Sequence, residues 1–155
     1  MPMDKNQFLK KVDLGWAALE TAYAGLSDSQ LVSPGVAGDW SAKDILAHVT
    51  TWEAEALKYL PLILAGGRPP RYSTQYGGID AFNAQITNQK RGLSTTEVLR
   101  QLAETHRQLL GFIQSAPEDQ FAQATPFRHR LRLETYSHYR LHANMIRDWR
   151  ARVGG

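Results

Sequence analysis

Residues 135–149 read TYSHYRLHANMIRDW, and the spacing inside this stretch carries most of what the chain discloses about its fold. His138 and His142 stand four apart, so on a helix they lie one turn apart on the same side. Thr135, His138, His142, Met145, Trp149 and Val153 recur at steps of three or four. That series predicts a helix over residues 131–153 with both imidazoles on its inward stripe.

Similar stripes run through the rest of the chain. Phe8, Val12, Trp16, Leu19, Tyr23 and Leu26 form one, opened by Asp4 as N-cap. Ile45, His48, Val49, Trp52, Ala56, Leu60 and Ile63 form a second. It follows Ser41-Ala-Lys-Asp44, a capping box with serine at the N-cap and a carboxylate three residues on. Val98, Leu102, His106, Leu109 and Ile113 form a third behind the capping box Ser94–Glu97. Pro61 is expected to kink or end the second helix, and Pro117 to stop the third. Residues 32–40 hold Pro34, Gly35 and Gly38 and read as loop, and residues 66–78 as a longer one. Residues 80–90 predict a short helix with Ile79, Phe82 and Ile86 facing inward, and residues 128–132 read as an arginine-rich loop containing His129. The segments LSDSQL (26–31) and APEDQF (116–121) echo one another after the first and third helices. No segment alternates with β-branched enrichment, so no strands are expected. The fold class is all-α, a four-helix bundle with a short extra helix and a long loop between helices two and three. At 155 residues it is expected to be one domain, 1–155.

The absence of cysteine excludes disulfides, thiolate metal sites and cysteine nucleophiles, leaving histidine and carboxylates as the strong ligands. No apolar run reaches the ~18 residues of a membrane span. The N-terminus MPMDKNQFLKKVD lacks a signal-like apolar stretch, so the expectation is a cytoplasmic protein with no membrane partner. Charge is uneven. Residues 1–127 carry 11 basic and 13 acidic side chains, whereas residues 128–155 carry seven arginines against Glu134 and Asp148. A basic third can attract nucleic acid, but no aromatic-interleaved motif accompanies it, so nucleic acid is read as an unlikely partner and the arginines as a solvated face.

His48, His138 and His142 all fall on inward stripes, where an imidazole is costly unless its ring nitrogens find partners. Two readings meet that need. Each ring is hydrogen-bonded separately in the core, or one divalent cation joins all three, at zinc–nitrogen distances of ~2.0–2.1 Å. The second reading requires similar depth along the two helices. His48 lies about 10 Å past the Ser41 cap, and the pair lies early in the last helix, so the rings meet if those helices run parallel, as in an up-down-up-down bundle, an order that a long crossover at residues 66–78 could change. His106 reads as a core histidine or one supporting a ligand ring, with direct ligation the lesser alternative, and His129 as solvated. Asp44 and Glu134 each precede a histidine by four residues and could orient its ring, though capping and dipole compensation explain them as well. Trp52 and Trp149 are candidate pocket walls, though aromatic core packing explains them equally well, and Glu53 and Tyr139 are candidate proton-transfer groups. No catalytic residue is assigned.

The segment GDWSAKDILAHVTTWE (38–53) resembles the start of helix two in the DinB-like superfamily, and residues 135–149 resemble that family's last helix. The middle, including Ala81-Phe-Asn83-Ala-Gln-Ile and residues 94–106, is closest to the ClbS/DfsB-like branch. The resemblance implies a four-helix bundle that holds one divalent metal (zinc, nickel or iron) on His48, His138 and His142. It implies a metal-dependent hydrolase or a thiol transferase acting on an electrophilic small molecule, with a low-molecular-weight thiol as a further cofactor. The alternative is a non-enzymatic sequestering or protective protein. A homodimer is also implied, with Tyr72 and Tyr76 as exposed interface aromatics.

Overall fold

A computed structural model describes residues 3–154, and the described residues are helical with no strand. The helices are α1 (Lys5–Tyr23), α2 (Asp28–Leu31), α3 (Ala42–Leu64), α4 (Tyr72–Gln75), α5 (Ile79–Lys90), α6 (Thr95–Ser115), α7 (Asp119–Ala122), α8 (Pro126–Glu134) and α9 (Tyr136–Arg152). The capping signals act where the sequence placed them. Asp4, Ser41 and Ser94 each accept from the backbone N–H three residues on, and Asp44 closes the box by accepting from Ser41 N.

Four long helices bury one face each. Phe8, Val12 and Leu19 of α1 meet Ile45, Val49 and Leu60 of α3, Leu109 and Ile113 of α6, and Tyr139 and Ile146 of α9, all without exposed surface. Close pairs fix the directions. Phe8 packs on Tyr136 and Arg150 donates to Ala22 O, so α1 and α9 run parallel. Lys5 Nζ donates to Gln114 O while Trp16 stacks on His106, so α1 and α6 are antiparallel. Lys43 reaches Arg91 O just ahead of α6, and Glu53 reaches His106, so α3 and α6 are parallel. The order is up-down-down-up. That corrects the expected up-down-up-down arrangement: α3 and α9 are antiparallel, with His48 beside His142 and Glu53 beside Tyr139.

The antiparallel helices still bring the histidines together because the last helix begins earlier than its apolar stripe suggests. Thr125 caps α8 by accepting from Arg128 N, and Pro126 occupies the first turn, where its missing N–H costs nothing. Residues 128–132 are therefore helix and not loop. The helix breaks at Thr135, whose hydroxyl donates to Leu131 O at 2.7 Å while its N–H turns to Arg132 O. The side chain has taken the carbonyl that the backbone ladder would use. Taken together, α8 and α9 place His138 and His142 near the middle of a long antiparallel partner to α3.

Smaller corrections follow from burial. The core stripe of α9 is Thr135, Tyr139, His142, Ile146 and Trp149, with Met145 half-buried and Val153 exposed. Phe82 faces inward as expected, whereas Ile79 does not. Pro61 lies inside α3, which runs three residues further. The two echoed segments both become single-turn helices, α2 and α7, that bury Leu31 and Phe121. Tyr72 and Tyr76 are turned onto Trp52 and Phe82 and do not stand out as interface aromatics. No described helix is long and apolar enough to cross a membrane.

Candidate functional site

The Ser41–Asp44 box starts α3 so that its second turn presents His48 inward, and α9 presents His138 and His142 one turn apart. The three Nε2 atoms converge: His48 Nε2 lies 3.1 Å from His138 Nε2, and His142 Nε2 lies 2.9 Å from it. One donor atom from each ring falls within 4.8 Å of the others. A ring nitrogen carries one hydrogen or one lone pair, so His138 Nε2 can make one proper hydrogen bond to its two close neighbours and not two. Tetrahedral ligands at 2.0–2.1 Å stand about 3.3 Å apart, close to what the rings show. The donor set therefore fits a single divalent cation.

The electrostatics agree. Burial drives all three imidazoles toward the neutral form that a metal requires. The pKa of His48 falls to about 3, with the neighbouring His142 and Lys90 adding to the effect of burial. His138 falls to about 2 and His142 to about 4. Nδ1 of His138 and of His142 is buried and finds no hydrogen-bond partner among the described residues. Asp44 and Glu134 orient neither ring. Asp44 caps α3 and approaches Arg91, and Glu134 pairs with Arg130 at 3.5 Å.

Other side chains shape the surroundings. Trp40, which the sequence placed in a loop without a role, tilts against His48 at 5.1 Å. Trp52 donates from Nε1 to Asn83 Oδ1 and packs on Tyr72 and Phe82, whereas Trp149 belongs to the core cluster. The 66–78 segment is anchored by Tyr72, whose hydroxyl donates to Glu55 and accepts from Arg130. Lys90 reaches back across α3 to Thr51.

A second buried cluster lies deeper. Glu53, with no exposed surface, accepts from Tyr139 at 2.8 Å and pairs with His106 Nδ1 at 2.9 Å. His106 stacks flat on Trp16 at 3.6 Å. Burial raises the Glu53 pKa against these bonds, and raises that of Tyr139 with the Glu53 carboxylate and its hydrogen bond adding to the effect. Glu53 and Tyr139, read separately as proton-transfer candidates, and His106, read as a core or supporting histidine, form one network. The signal was available: Val49, Glu53, Ala56 and Leu60 step by three and four, which puts Glu53 on the buried stripe.

This is a four-helix bundle with an inward three-histidine centre, and the family model of the DinB superfamily matches residues 11–145. The chain belongs to the DinB superfamily. Its fold is shared with the colibactin self-resistance protein ClbS, solved in complex with double-stranded DNA, at 14% identity over 96% of both chains and a TM-score of 0.79. It is shared with DfsB, a sibling lethal factor precursor, at 18% identity over 99% of this chain and 98% of that one, TM-score 0.81. An uncharacterised Escherichia coli protein matches at 16% identity over 99% and 96%, also at 0.81. No curated protein matches the chain.

The reading of nucleic acid as an unlikely partner does not stand, because a neighbour of the same fold is solved on DNA. The arginines do not supply the reason for exclusion either. Arg132 and Arg140 are exposed and engage no carboxylate among the described residues.

Proposed function

We propose that His48, His138 and His142 hold one divalent cation, zinc, nickel or iron, and that residues 1–155 act as one domain around that centre. The observation that carries this is the convergence of three Nε2 atoms whose contacts hydrogen bonding alone does not satisfy. Three neutral ligands leave a coordination position open, as in catalytic rather than structural sites. A cation there supplies Lewis acidity, lowering the pKa of bound water to about 7 or holding a thiolate.

The best-supported activity is hydrolysis of, or thiol transfer to, an electrophilic small molecule. The chain's own residues keep the imidazoles neutral by burial, screen His48 with Trp40, and close the α3–α5 side with the Trp52–Asn83 contact. Metal content of protein purified without an affinity tag tests the centre. Turnover with electrophiles and thiols, with and without chelator, tests the activity.

A second reading is protection without turnover, at or near nucleic acid. It is favoured by the self-resistance role and DNA complex of ClbS, and by a cleft of about 430 Å³ lined by Lys11, Arg128, His129, Arg132 and Tyr136. Phosphate contacts by such groups weaken steeply with salt. Duplex binding that is salt-dependent and lost in the Arg128→Ala/Arg132→Ala double variant would favour it; absence of duplex binding would remove it.

A further inference from the structure

The seven arginines of residues 128–155 do not form one surface. Arg130 turns to Glu134 and to Tyr72 on the α3 side of α8. Arg147 lies by Asp148, Arg150 donates to Ala22 O and Ala24 O, and Arg152 reaches Gly35 O. Arg128 and Arg132 stand apart from these. Four residues apart, they share a face of α8, and with Lys11, His129 and Tyr136 they line the cleft where α1, α8 and α9 meet.

This cleft has room and a built wall. Its volume of about 430 Å³ falls in the range of small-ligand sites. Arg128 is half-buried, and its Nη1 donates to Phe121 O at 3.0 Å, which holds the guanidinium in place and leaves its other N–H groups for a ligand. Lys11 Nζ lies 5.4 Å from the centre of the Tyr136 ring, and that ring packs edge-on against Phe8. No acidic side chain lines the cleft, and none among the described residues pairs with Lys11, Arg128 or Arg132. Elsewhere Arg91, Arg100 and Arg107 each take a carboxylate. Guanidiniums present paired N–H donors that match phosphate oxygens, and a lysine adds a point charge. A phosphomonoester brings about −1.5 to −2 charge and three acceptor oxygens to one point. A duplex, with one charge per ~1.7 Å of axis, is held by an extended row of cations, and Arg130, Arg147, Arg150 and Arg152 are drawn off any such row.

We propose that this cleft takes the terminal phosphate of a small molecule, a phosphomonoester dianion, held by Arg128 and Arg132 from α8 and Lys11 from α1. This narrows the nucleic-acid reading of the same cleft and shares with it only the phosphate chemistry. It is independent of the three-histidine centre.

The test is a titration at fixed ionic strength, followed by the amide resonances in NMR, with adenosine 5′-monophosphate as the phosphomonoester and adenosine as its neutral counterpart. The monophosphate, and inorganic phosphate alone, are expected to shift the Arg128, Arg132 and Tyr136 resonances saturably, and adenosine is not. Arg132→Gln is expected to weaken the monophosphate about tenfold, equivalent to about 1.4 kcal/mol. Its melting temperature should hold, since the Arg132 side chain bonds to nothing else among the described residues. If Arg132→Gln does not fold, Lys11→Gln carries the same comparison from α1. A solvated basic face without a site gives shifts that do not saturate, or equal affinity in wild type and variant, and either result overturns the proposal. A duplex lacking terminal phosphates is the second arm. Duplex binding in the cleft with no saturable uptake of the monophosphate overturns the proposal and leaves the nucleic-acid reading standing. Uptake of the monophosphate without duplex binding supports the proposal and removes the nucleic-acid reading alone.

Discussion

At Glu53, His106 and Tyr139 a carboxylate, an imidazole and a phenol meet in the core, and each supplies what another lacks. At His48, His138 and His142 three like groups meet, with Nε2 set against Nε2. The first cluster answers most of its hydrogen bonding internally and is sealed from solvent. The second faces its own lone pairs, sits nearer the surface with His138 half-buried, and leaves two Nδ1 atoms without a partner among the described residues, against one oxygen, Glu53 Oε1, in the first. Burial also acts on them with opposite sign, pushing the carboxyl up toward its neutral acid form and the imidazoles down toward their neutral base form. A core can hold polar groups for rigidity or for an incoming partner, and complementarity of the groups distinguishes the two.

The sharpest break in this comparison is expected from His142→Ala. Supporting groups around a metal cost 10–100-fold in affinity when removed, and loss of a direct ligand is expected to cost more. Calorimetric titration with zinc should show binding lost, while His106→Ala, in the other cluster, should keep one zinc per folded chain. Equal affinity in the two variants would erase the distinction.

Glu53→Ala is expected to do the reverse. Removing one member of a buried pair destabilises by about 3–5 kcal/mol, read by urea unfolding, with zinc stoichiometry of the folded fraction unchanged.

Glu134 sharpens the contrast in pH. Burial raises its pKa from 4.5 to about 7, against the opposing pull of Arg130. The folded state therefore holds a proton that the unfolded state releases. Stability from this group is fully present below about 4.5 and falls as pH rises to about 7, by about 3 kcal/mol in all. Glu134→Gln should flatten that part of the pH–stability profile; an unchanged slope would contradict the assignment.

The smallest effect belongs to Asp44→Ala. Loss of half a capping box costs about 1 kcal/mol, and zinc affinity should not move, because Asp44 touches Ser41 and Arg91 and no histidine ring. A large loss of affinity would restore Asp44 as an orienting group.

Stripes and caps were legible because each depends on residues within one turn of helix. Phe8, Val12 and Leu19 pointed inward as their spacing required, and the Ser41–Asp44 box stands as read. The three histidines were legible as an inward set, and their meeting was expected, but through the wrong helix order. Direction depends on how α6 packs beside α3, and no local pattern encodes that. The α8–α9 break was hidden because Thr135 fits an apolar stripe while its hydroxyl competes for Leu131 O. Thr125-Pro126 did mark the true start, as a cap followed by a first-turn proline. Lys90 was not singled out, because its reach to Thr51 appears only when α5 lies over α3.

X-ray absorption by the zinc-loaded protein tests the central claim most directly. The account predicts one zinc per chain with three imidazole nitrogens at about 2.0–2.1 Å and one further light atom, and loss of that shell in His48→Ala. A shell of oxygen donors, or an imidazole count that survives His48→Ala, would contradict it.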